Sequence, residues 1–149
     1  TTEEAWKSRN NDSSIHLEDF MITPESYKNS EVNDIWITLK QIRKVITGAL
    51  EKKRADKIIG SSLEAHIDIY LEKSILEKVK NYQLDEISIT SSFELHEITS
   101  NSEGFGLEEV SDVKVEVSKT SGQKCQRCWK YKKALVRDEI CNRCEQAIS

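Results

Sequence analysis

An α+β chain ending in a small four-cysteine module is predicted by three features of the sequence. One is an apolar stripe at helical spacing from Ile35 onward, and another is period-two alternation in three later segments. The third is a pair of C-x-x-C motifs confined to the last 25 residues. The expected organisation is residues 1–60 as a helical region with a connecting helix, 61–118 as a small α+β layer and 119–149 as the cysteine module.

Taken in order, Thr2-Glu3-Glu4-Ala5-Trp6 suits a short helix. Asn10 to Ser14 is a loop by composition, and Ile15-His16-Leu17 alternates like a short strand. Thr23-Pro24 is a further break, or a helix start with proline at the first position. A long amphipathic helix follows, capped by Asn33 or Asp34. Its stripe is Ile35, Leu39, Ile42, Ile46 and Ala49, widened by Trp36 and Leu50, with Gly60 as the stop. The other faces carry Lys40, Arg43, Lys44, Lys52, Lys53, Arg54 and Lys57, which suit either a wet helix surface or an anionic partner.

Glu64 to Tyr70 alternates like a half-buried strand. Residues 72–82 read as a second helix with Ile75, Leu76 and Val79 inward. Ile87 to Leu95 alternates again, Asn101 to Gly106 is a turn, and Val113 to Val117 is the cleanest strand pattern. The expected layer is three strands with a helix crossing one face. Ser118 to Lys124 links it to the cysteines.

Each C-x-x-C, Cys125-Gln-Arg-Cys128 and Cys141-Asn-Arg-Cys144, turns two sulfurs toward one point, and the 12 residues between them allow one short hairpin. Four thiolates at this spacing suit one tetrahedral Zn²⁺ in a closed, structural site. The alternative, a pair of disulfides, suits a secreted protein, yet the other 124 residues hold no cysteine and no signal peptide is present. So few apolar residues lie beyond Cys125 that metal binding must supply the folding free energy. Arg127 and Arg143, just before the second cysteine of each pair, can offset the charge of the thiolates or present cations to phosphate.

The net charge of −4 hides an asymmetry. From Lys119 onward eight Lys or Arg face three Asp or Glu, a balance of +5 against −9 for the rest, which points to an anionic partner for the tail. Trp129 and Tyr131 lie among Arg127, Lys130, Lys132 and Lys133, a mixture suited to RNA, where bases stack on aromatic faces and cations meet phosphate. Either aromatic can instead pack on the metal ligands. No glycine-rich phosphate loop, nucleophile elbow or helical histidine pair occurs, and no catalytic residue is assigned. His16, His66 and His96 are isolated and read as ordinary polar residues. The sequence holds no apolar run of membrane-spanning length. Cysteines committed to metal suit a reducing compartment, hence the cytoplasm. A chain that begins at Thr1 and whose single methionine is Met21 reads as a piece of a longer polypeptide.

The tail Cys125-Gln-Arg-Cys128-Trp129, then Tyr131 and Cys141-Asn-Arg-Cys144, resembles the C-terminal zinc module of bacterial-type isoleucyl-tRNA synthetases, class I enzymes. Arg43, Ile46, Leu50, Glu51, Arg54, Ile59-Gly60 and Ser62-Leu63-Glu64-Ala65 are similar to the stretch after that family's helical anticodon-binding domain. Glu4-Ala5-Trp6 and Ser14 to Leu17 are similar to the segment before it. The weakest likeness is over 72–112. Lys130 stands where the family has histidine, and Glu145 where it has an apolar residue.

The resemblance implies a parent that activates isoleucine with ATP and charges its tRNA, with this part lacking the HIGH and KMSKS signatures, the nucleotide-binding core and the editing domain. It implies one structural Zn²⁺ on Cys125, Cys128, Cys141 and Cys144, with ATP confined to the absent core. The implied RNA contacts are Trp129 in the anticodon region, Arg127 and Arg143 as backbone clamps, and Lys130, Tyr131, Lys132, Lys133, Arg43 and Arg54 beside them. The implied partners are isoleucine tRNA and the rest of the synthetase chain, in a monomer away from membranes. Two alternatives are the zinc finger of a formamidopyrimidine-type DNA glycosylase and a zinc-braced protein-interaction module.

Overall fold

The computed structural model describes residues 1–10, 13–136 and 139–148. Residues 11–12 of the expected loop and 137–138 of the expected hairpin lie outside the described residues. The chain forms two compact units, Thr1–Ser30 and Glu31–Ser149.

In the first unit, helix α1 (Thr2–Asn10) places Glu3 and Glu4 in its first turn and Lys7 and Arg9 in its last, which complements the helix dipole. Glu3 ties down the next segment by accepting from Ser14 Oγ at 3.2 Å and the Ile15 amide at 3.3 Å. Ile15–Leu17 is a 3-10 turn rather than the expected strand, because the Ser14 hydroxyl caps it by accepting from the His16 amide at 3.3 Å. Pro24 introduces a second such turn, Glu25–Tyr27.

Helix α2 (Ser30–Ala55) begins earlier and ends sooner than the stripe suggests. It buries Leu39, Ile42, Val45, Ile46, Ala49 and Leu50, each large aliphatic contributing about 1.5–3 kcal/mol by leaving water. Val45, not Trp36, widens the apolar face; Trp36 stays 47% exposed. The helix stops at Lys57, whose φ of 58° is left-handed, and not at Gly60. Ile58 N–H bonds Lys53 O and Lys57 N–H bonds Arg54 O, both at 3.0 Å, the paired bonds of a Schellman stop. Gly48 sits mid-helix because a Cβ there would lie 2.6 Å from the Phe105 ring.

The α2 stripe packs on a sheet of four strands: β1 (Ala65–Leu71), β2 (Ser92–Glu97), β3 (Phe105–Leu107) and β4 (Val110–Lys119), in spatial order β2-β1-β4-β3. β1 runs parallel to β2 and antiparallel to β4, and β3 is antiparallel to β4. Alternation divides the faces. Ala65, Ile67, Ile69 and Leu71 join Val113, Val115 and Val117 in the core with α2, while His66, Asp68 and Tyr70 point away and stay half-buried.

The mixed α+β class is the expected one, but the layer has four strands instead of three. The fourth, β3, comes from a stretch whose first residues read as turn. Two helices, α3 (Lys73–Val79) and α4 (Leu84–Ser88), make the crossover that a parallel β1–β2 pair requires. The expected strand from Ile87 thus begins only at Ser92. Leu84 and Ile87, three apart, turn the same helical face toward the core, and Ile89 ends α4 in the left-handed conformation at φ 58°. Among the described residues no helix is long and apolar enough to cross a membrane.

Candidate metal centre and nucleic-acid interface

The first knuckle, Cys125 to Cys128, is enclosed by a two-stranded ribbon of β5 (Gln123–Lys124) and β6 (Tyr131–Lys132). The second opens helix α5 (Asn142–Gln146), and an isolated bridge pairs Val136 with Ile140 before it. The longer of these returns therefore runs across the first knuckle rather than between the two. At Gly122, φ is 119° and a Cβ would stand 2.4 Å from the Lys132 carbonyl, so only glycine starts this ribbon without strain.

One sulfur from each of Cys125, Cys128, Cys141 and Cys144 lies within 4.8 Å of the others, and all four cysteines are free. Cys128 Sγ and Cys141 Sγ are 3.8 Å apart. A disulfide needs about 2.05 Å; sulfurs at tetrahedral corners around zinc, each about 2.3 Å from it, stand about 3.8 Å apart. The donor set fits zinc. Burial would push the Cys125 thiol up, but amide donors from Cys128, Cys141 and Arg127 and a bond from the Cys128 thiol outweigh it and bring the group down to about 6. Cys128 is pushed up to about 12 by burial and by its neighbours Cys125, Cys144 and Cys141. A divalent cation bound here would supply the positive charge that holds four such closely packed sulfurs as thiolates.

The module is fastened to the α+β layer by polar contacts. Lys130, expected among the RNA contacts, is 6% exposed, and its ammonium donates to Asp85 Oδ2 and Glu86 Oε1, each at 2.8 Å. A lysine this buried needs paired carboxylates, so it is committed to the interior. Arg143 also reaches Glu86, so it too has a protein partner. Ser91 completes the attachment. Its hydroxyl donates to Leu63 O and accepts from the Tyr131 amide, and its carbonyl accepts from Lys132 Nζ at 3.2 Å. Neither Asp85 nor Ser91 belongs to a motif in the sequence; the acidic pair in Leu84-Asp85-Glu86-Ile87 is the signal it offers.

The remaining candidates divide. Trp129 is 57% exposed at φ 65°, its amide bonded to Cys125 O at 2.9 Å, and Lys124 Nζ lies 5.2 Å from its ring centroid. It is therefore not core. Arg127 and Lys133 are exposed and make no ion pair with any described residue. Tyr131, Lys132 and Lys133 line a cleft of about 350 Å³ with Ser91, Ser118 and Lys119. Arg43 and Arg54 work elsewhere. Arg43 Nε donates to Ile87 O at 3.0 Å, closing the C-terminus of α4, and Arg54 binds Glu51 and Ser62 Oγ.

Fold and donor set together define a four-thiol zinc finger set against an α+β layer, and residues 122–147 match the family model described as "Zinc finger found in FPG and IleRS". The likeness reaches well beyond the finger. The chain is 42% identical over 133 residues to the isoleucine–tRNA ligase of Bartonella henselae, covering 88% of this chain and 14% of that protein. It is 43% identical over 134 residues to that of Pelagibacter ubique, covering 89% and 14%. For Bradyrhizobium diazoefficiens the identity is 38% over 141 residues, covering 93% and 14%. The chain thus fits a fragment of isoleucine–tRNA ligases and spans about one-seventh of the length of these relatives.

Proposed function

We propose that this chain is the non-catalytic, tRNA-gripping part of an isoleucine–tRNA ligase that acts in the cytoplasm as a monomer. Catalysis, with isoleucine, ATP and the acceptor end of the tRNA, belongs to the rest of that enzyme, which this chain contacts as a partner. One structural zinc shapes the tail into a surface for the anticodon stem and loop.

The observation that carries this reading is the exposed Trp129 ring with Lys124 over it and the exposed Arg127 two residues before it on the zinc knuckle. A rigid aromatic face with cations beside it suits an unstacked base and its phosphates. The hydroxyl- and lysine-lined cleft at Lys119, Lys132 and Lys133 offers a second place for the backbone. Lys130, Arg43 and Arg54 are omitted from the contact set because they are engaged within the protein.

The test is a binding titration of the zinc-loaded chain against isoleucine tRNA and against duplex DNA of mixed sequence, repeated over a range of salt. The expected result is preference for the tRNA, with log affinity falling linearly against log salt by about 0.7–0.9 per phosphate neutralised. Equal affinity for both nucleic acids, or no salt dependence, overturns the reading.

A further inference from the structure

The face of the sheet turned away from α2 gathers groups that the sequence scatters. β1 contributes His66, Asp68 and Tyr70, and parallel pairing sets Ser92, Glu94 and His96 of β2 directly beside them. β4 adds Glu116 opposite Asp68 and Lys114 opposite Tyr70. One donor atom from each of His66, Asp68 and Glu94 lies within 4.8 Å of the others.

The hydrogen bonds orient these donors. His66 Nδ1 is 2.8 Å from Ser92 Oγ, and donation there leaves the Nε2 lone pair on the Asp68 side. His66 Nε2 and Asp68 Oδ2 are 3.5 Å apart, long for a hydrogen bond. Two ligands of one ion, each about 2.0–2.1 Å from it, stand about 3.0–3.5 Å apart. The other Asp68 oxygen is held by His96 Nε2 at 2.8 Å, and the His96 ring is itself stacked on Tyr70 at 5.0 Å between centroids. That is the outer partner a ligating carboxylate ordinarily has. The charge balance favours a cation. Asp68, Glu94 and Glu116 lie side by side on this face, while the Lys114 ammonium is bound away on Ser102 O at 2.6 Å.

We propose that His66, Asp68 and Glu94 form a second metal site, distinct from the cysteine centre. It takes a borderline divalent transition ion such as Ni²⁺, Co²⁺ or Zn²⁺ through one imidazole nitrogen and two carboxylates. His96 is the positioning residue for Asp68. Mixed nitrogen and oxygen donors with open positions select this class of ion over the harder Ca²⁺ and Mg²⁺. The ion would staple edge strand β2 to β1. His66 and Ser92 also line the cleft at Lys119, Lys132 and Lys133, but the test that follows needs no RNA.

Ni²⁺ titrated into the chain loaded with a single equivalent of zinc, held by the four cysteines, with zinc content followed in parallel, tests it. The expected result is uptake of one Ni²⁺ per chain with zinc retained, and paramagnetic broadening of the β1 and β2 amides that spares β3. His66→Ala and Asp68→Asn should remove this uptake. Glu94→Gln, at an exposed position, and His96→Gln should weaken it, the latter about 10–100-fold. Absence of uptake, uptake unchanged by His66→Ala and Glu94→Gln, or nickel entering only by displacing zinc overturns the proposal.

Discussion

Lys130 Nζ lies 2.8 Å from Asp85 Oδ2 with both side chains almost wholly removed from water, 45 residues apart in sequence. The pair joins the cysteine module to α4, and Glu86 and Arg143 extend it into a four-charge cluster with no net charge. Lys130→Met should destabilise the chain by about 3–5 kcal/mol, because it strands a buried carboxylate. Combining it with Asp85→Leu should restore much of the loss, since two apolar groups no longer leave a charge unpaired. Urea melts of the single and double variants measure this. An additive double variant would mean that the two residues do not act as a pair.

The same cluster gives a pH dependence. The Lys130 hydrogen bond, opposed by burial and aided by the charges of Lys130, Arg143 and Lys132, holds the Glu86 carboxyl below its ordinary value of 4.5. A carboxyl depressed in the folded state stabilises above its unfolded value, and the contribution is lost as pH falls through the folded one. Glu86→Gln should therefore lower the urea midpoint at pH 7, with the difference from the parent vanishing as the solution is acidified below 4.5. A difference that persists unchanged at the lowest pH would remove Glu86 ionisation from the account.

The cysteine cluster and the main hydrophobic core share no buried residue: Cys125, Cys141 and Cys144 form one group, and α2 with the sheet forms the other. Cys141→Ser should accordingly abolish stoichiometric zinc and unfold the tail while amides of α2, β1 and β4 stay protected from hydrogen exchange. Loss of protection should extend only to α4 and the residues around Ser91, whose partners lie in the tail. Exchange of the whole chain in one step would show that metal and core fold as a unit.

Trp129 combines an exposed ring with a left-handed backbone, a conformation costing a non-glycine residue about 1–2 kcal/mol. Trp129→Gly should keep zinc and leave the thermal midpoint equal or higher. Trp129→Ala should retain both the strain and the metal. Both variants should lose about 1–3 kcal/mol of RNA affinity if the ring stacks on a base. A loss of zinc in both variants would return the tryptophan to a structural role.

What the sequence made legible follows from how local each signal is. The C-x-x-C spacing constrains four sulfurs through adjacent residues, and the alternation of Ala65 to Leu71 maps directly onto two sheet faces. Ile87 to Thr90 also alternates, but the side chain of Leu84 three residues earlier and the left-handed Ile89 decide for helix, and neither is visible in a period-two pattern. The Lys130–Asp85 pair was illegible for another reason: a lysine in a basic tail looks solvated until the fold brings a carboxylate to it. His66 and His96 looked isolated because parallel pairing across a 26-residue offset is what unites them on Asp68.

The stop of α2 gives the last test. Lys57 occupies the left-handed position that glycine ordinarily takes in a Schellman ending, and Gly60, the apparent stop, lies three residues beyond it, its amide 3.3 Å from Glu64 Oε2. Lys57→Gly relieves the Cβ clash but adds freedom to the unfolded chain, which opposes it by about 0.5–1 kcal/mol. The net expectation is a gain of about 0.5–1 kcal/mol, or a thermal midpoint about 1–4 °C higher in a chain of this length. Lys57→Ala, which keeps the Cβ, should give no such gain. If glycine destabilises, or alanine does as well as glycine, the helix does not end on a left-handed Lys57.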